Sequence, residues 1–103
     1  MNVKVFRMNT GEEVIFNLIN ENEKTIEIEN PLVAMPNAQG SIGFGPWSFL
    51  QKKDTTLTID KSFIVYICDA NGEVVENYES IFDPNKIQTP SKKLILWRNW
   101  FYY

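Results

Sequence analysis

Apolar and polar side chains alternate along the first two thirds of the chain, and this pattern predicts strands. In VKVFRM (Val3–Met8), Val3 and Val5 point one way and Phe6 and Met8 the other. Asn9-Thr10-Gly11 is a turn signal. Residues 12–18 resume a strand with Val14, Phe16 and Leu18 on one face. NENEK (20–24) is a second turn, and residues 25–29 alternate again, with Ile26 and Ile28 inward and Glu27 and Glu29 outward. Asn30-Pro31 interrupts that strand, and Leu32-Val33-Ala34-Met35 carries the apolar signal on. Antiparallel strands joined by short turns follow from this pattern. The stretch SIGFGPWSFL (41–50) mixes glycines and a proline with three aromatic rings. Its glycines allow a bulge or twist, and Pro46 belongs outside a central ladder. Leu57 and Ile59 share one face of the next strand, Asp60-Lys61-Ser62 is a tight connection, and FIVYIC (63–68) is a continuous apolar run that reads as a central strand.

The period then changes. Val74, Val75, Tyr78, Ile81 and Phe82 recur at three- and four-residue spacing, one apolar stripe of a short helix over about 72–82. Asp69 or Asn71 caps its start and Pro84 ends it. Residues 83–93 form a polar linker. LILWRNWFYY (94–103) is apolar or aromatic at eight of ten positions and apolar on both faces as a strand. An exposed strand of that kind aggregates, so it is expected to pack on the domain or on a neighbouring subunit. The expected organisation is one domain over 1–82, then a linker and aromatic tail over 83–103.

The order of strand, glycine turn, second strand with Val-x-Φ-x-Leu, polar turn and third strand resembles the first Sm motif of Sm and Sm-like (LSm) proteins, through Gly11, Val14, Leu18 and Ile28. Asp-Lys-Ser followed by Val65 and Ile67 resembles the second Sm motif, with Lys61 where the family carries Arg or Lys and Ser62 where it carries Gly. KVFRMNTGEEVI, NPLV and GSIGFGPW look like short Sm-like proteins encoded by marine cyanophages. The resemblance spans residues 1 to about 82. It implies a mainly β fold: a small five-stranded, SH3-type barrel, here with a short C-terminal helix. It also implies a homo-oligomeric ring of five to seven subunits, joined edge strand to edge strand. Such a ring binds single-stranded RNA in its pore and acts in RNA metabolism, here during phage infection in the host cytoplasm. Lys61, Ser62 and Thr25 are then the RNA-binding candidates. The family's pore asparagine falls at Thr25 or Ile26, neither of which offers an amide, and the glycine of its second strand is Phe16. A scaffold ring that binds other proteins, with no nucleic-acid role, is the alternative.

Composition narrows the chemistry. With 103 residues, 44% hydrophobic and 14% aromatic, the chain is one packed globular domain. It has no histidine and a single cysteine, Cys68, so no internal disulfide forms and the usual general base is missing. Cys68, ending an apolar strand, reads as an inert core thiol. No enzyme, cofactor or metal site is expected. The six glutamates at 12, 13, 21, 23, 27 and 29 read as solvated carboxylates. No apolar run reaches the ~18 residues of a membrane span, and no DNA-specific signal is present. The net charge of −3 becomes roughly −15 to −21 across five to seven copies, which opposes a polyanion unless the charge is segregated. Phe44 and Trp47 are candidates for stacking on bases, worth ~1–3 kcal/mol per base where that occurs. Burial against the domain is the competing use of both rings.

Overall fold

The computed structural model describes residues 1–36, 42–52 and 54–82; the linker and aromatic tail expected over 83–103 lie outside the described residues. β1 (Val3–Met8) turns back through Gly11, whose φ of 105° suits glycine alone, into β2 (Glu13–Glu21). Asn22 makes the next turn, its side-chain oxygen accepting from the Lys24 and Thr25 amides at 2.9 and 2.8 Å. β3 (Thr25–Pro36) follows, then β4 (Ile42–Pro46), β5 (Thr56–Asp60), a 3-10 turn (Lys61–Phe63), β6 (Ile64–Asp69) and α1 (Gly72–Phe82). All pairings are antiparallel, in the order β4-β3-β2-β1-β6, with β5 also on β3.

The fold is mainly β with one short helix. Among the described residues it has six strands where five were expected, because Ile42–Pro46 forms a strand of its own within the glycine-rich stretch. That strand lies at an edge, so its proline takes no amide from an interior ladder. Among the described strands β5 and β6 do not pair with each other, so the sheet is not closed into a barrel. The 3-10 turn carries the chain from β5, paired with β3, to β6, paired with β1.

Asn30-Pro31 bends β3 rather than ending it. Asn30 adopts φ 52°, a left-handed conformation that asparagine tolerates better than most residues. Residues 25–29 pair with β5, and residues 32–36 pair with β4. One long strand therefore serves two partners along the same edge.

The sheet packs on both faces. The inner face buries Phe6, Val14, Phe16, Ile26 and Ile28 completely, with Trp47, Leu57, Ile59, Ile64 and Ile67 packed around them. The rings of Phe6 and Phe16 lie 4.8 Å apart. On the other face α1 covers Val3, Ile15 and Leu32, with its stripe of Val74, Val75, Tyr78, Ile81 and Phe82. This is why Val14, Ile15, Phe16 and Asn17 are all buried in succession. Asn71 caps α1, its side-chain oxygen accepting from the Glu73 amide at 2.9 Å. Asp69, the other candidate cap, is instead ion-paired with Lys4 at 2.6 Å.

Two expectations fail at β6. The apolar run at 63–68 is an edge strand, bonded only to β1 among the described residues. Val65 is 62% exposed, and Cys68 is exposed rather than a core thiol. The register shifts between Arg7 and Met8, where Tyr66 and Ile64 oppose them, so Val65 is skipped and left facing out.

Candidate nucleic-acid and assembly surfaces

Two turns meet at one end of the sheet. The β2–β3 turn brings Lys24 and Thr25, and the 3-10 turn after β5 brings Lys61 and Ser62. Thr25 stands opposite Asp60 in the β3–β5 register, and the Lys61 amide donates to the Lys24 carbonyl at 2.8 Å. Thr25 and the adjacent pair Lys61-Ser62, 36 positions further along the sequence, are therefore neighbours. The Asp60 side chain accepts from the Ser62 amide at 2.8 Å and sets the turn. That bond holds the Asp60 carboxyl below its ordinary range.

The charges at this end are mixed. Lys61 Nζ lies 2.7 Å from Glu21 Oε2, with both side chains partly open to solvent. Glu23 and Asp60 add negative charge and Lys24 adds positive. Ser62 is exposed. Sequence reasoning missed Glu21 as the lysine's partner. The signal was the length of β2, which runs three residues beyond the expected end at Leu18 and so carries Glu21 up to the turn.

Phe44 and Trp47 lie apart from this end. Phe44 packs beside the Val3, Ile15, Leu32 and Tyr78 cluster. Trp47 packs edge-on to Phe6, with ring centroids 5.6 Å apart. Its indole N–H donates to Glu12 Oε2 at 3.2 Å, and its backbone amide donates to the Pro31 carbonyl. Glu12 also accepts from the Thr10 hydroxyl. The hydroxyl first, and the indole second, hold that carboxyl below its ordinary value. Both rings are half-buried. Phe49 and Leu50, at the loop tip beyond them, are mostly exposed.

The second surface is formed by two of the open edges, β5 and β6, with β4 a third. β5 bonds β3 on one side only, and β6 bonds β1 on one side only, among the described strands. β6 with its preceding turn presents Phe63, Val65 and Tyr66 to solvent. Such an edge is a template for another strand. Among the described residues no group of three or more His, Cys, Asp or Glu is placed to hold a metal, and no helix is long and apolar enough to cross a membrane. No protein-family model and no curated protein matches the chain.

Proposed function

We propose that the chain is a non-enzymatic, Sm-like subunit whose copies pair β5 with β6 of the next copy, close into a homo-oligomeric ring of five to seven, and bind single-stranded RNA. The observation that carries the assembly is the apolar composition of β6 at an open edge. A strand with the sequence of a central strand gains its second neighbour from an identical copy. The convergence of Lys24, Thr25, Lys61 and Ser62 at one end supports the RNA role, because a ring repeats that cluster around one axis. The setting is the cytoplasm of an infected host, as the cyanophage resemblance implies.

Light scattering tests assembly: a mass of five to seven subunits is expected, and a single-subunit mass defeats the proposal. Val65→Lys places a charge on the joining edge and is expected to yield monomer. Titration of labelled oligo-U at varied salt tests the RNA role. Each phosphate neutralised contributes about 0.7 to the slope of log affinity against log salt, so Lys61→Ala lowers both affinity and slope.

The Lys61–Glu21 ion pair favours a second reading, a scaffold ring that binds other proteins. In that reading the lysine is already engaged and the net charge of −3 repels RNA. Absence of oligo-U binding at low salt by an intact ring selects it.

A further inference from the structure

A bulge in β2 aims one carboxylate at the turn cluster. Leu18 stands opposite Ile28, but Asn20 stands opposite Glu27 and Glu21 opposite Ile26. The register therefore shifts between Leu18 and Asn20, and Ile19 is left out of the ladder and exposed. Directly opposed residues share a face, so Glu21 joins Ile26, and through it Ile59, at the rim of the inner face. Plain alternation from Val14, Phe16 and Leu18 puts position 21 on the outer face, with Ile15 and Asn17. The shift instead brings Glu21 Oε2 to 2.7 Å from Lys61 Nζ, with 45% and 30% of the two side chains exposed. Lys24, on the adjoining turn, is exposed and in no ion pair among the described residues.

We propose, resting on the RNA reading above, that Glu21 is an internal competitor of the RNA backbone. Its carboxylate occupies the Lys61 ammonium until a phosphate oxygen displaces it, and so sets the affinity at which the cluster binds a strand. A carboxylate oxygen and a phosphate oxygen are the same kind of anionic acceptor to an ammonium. A carboxylate 2.7 Å from that nitrogen also repels a phosphate brought up to it. The pair is half open to solvent, so a ligand reaches the nitrogen, and exposed pairs are individually weak, so the carboxylate can be displaced. The competition is therefore a matter of a few-fold per copy, and a ring repeats it at every copy the strand touches.

Two measurements on the full chain test this, with circular dichroism confirming that each variant is folded. The first needs no RNA. Acetylation of Lys61 by N-hydroxysuccinimidyl acetate is followed by peptide mass spectrometry, with Lys24 as the reference in the same chain. Glu21→Gln is expected to raise the Lys61 rate about threefold and leave Lys24 unchanged, and equal Lys61 rates overturn the proposal. The second is titration of labelled oligo-U at low salt. Glu21→Gln is expected to tighten binding about threefold for each copy contacted. Glu23→Gln makes the same charge change at a carboxylate in no ion pair among the described residues, and is expected to tighten it less. With Lys61→Ala in place the gain from Glu21→Gln disappears. Wild-type binding that Glu21→Gln does not tighten, or tightens as much without Lys61, overturns the competition and leaves the RNA role standing. If no variant binds oligo-U while Glu21→Gln still accelerates acetylation, the RNA role fails and the competition fails with it.

Discussion

Tyr78 joins the helix to the bend in β3. Its ring is almost fully buried beside Phe82, and its hydroxyl lies 2.8 Å from the Asn30 carbonyl and 3.3 Å from that of Glu29. Burial, aided by the nearby Glu29 charge, pushes its ionisation well above the ordinary tyrosine value. The folded state therefore keeps the proton while the unfolded state releases it above about pH 10, so stability falls as pH rises beyond that point, by up to about 1.4 kcal/mol per pH unit. Tyr78→Phe is expected to cost about 1–2 kcal/mol at pH 7, since the bent carbonyls lose their donor, and to flatten the alkaline loss. Urea melts at pH 7 and pH 11 check both effects. At acid pH the sign reverses for Asp60 and Glu12. Their folded values are lowered, so their contribution is complete above the unfolded value near 4 and is lost as pH falls through the folded one. Asp60→Asn should lessen the acid-induced drop in Tm between about pH 5 and pH 2.

The strands were legible as elements because alternation fixes which residues share a face. Val14 and Phe16 were read as sharing a face, and Ile26 and Ile28 as inward, and all four are fully buried. The helix stripe was legible for the same reason, and its residues do pack on the sheet. What alternation cannot encode is a second covering layer. Ile15 reads as an outward residue on β2 until α1 is known to lie over it. The β3 bend was half legible, because Asn-Pro marks an interruption without saying that the strand resumes. Its conformation is testable: Asn30→Val forces a β-branched residue into left-handed backbone, at a cost of about 1–2 kcal/mol by chemical denaturation. Phe16→Ala, which empties the centre of the inner face, is expected to cost about 3–5 kcal/mol and leave the domain largely unfolded. The candidate RNA cluster was legible only through the resemblance. Nothing in residue spacing brings 25 beside 61; the β3–β5 ladder does.

At the scale of the whole molecule, the misreading of residues 63–68 is the most informative. Continuous apolar character was read as the mark of a strand with neighbours on both sides, and the described residues supply only β1. The open edges also differ from each other. β5 alternates exposed threonines with half-buried Leu57 and Ile59, whereas β6 exposes Val65 and Tyr66. Joining unlike edges is head-to-tail, and every added copy presents again the surface that the last one used. In the proposed ring, a copy disabled at β6 keeps a working β5. Mixed into wild-type protein at a small fraction, Val65→Lys would thus act as a chain terminator: it docks once, offers no onward site, and poisons assembly out of proportion to its abundance.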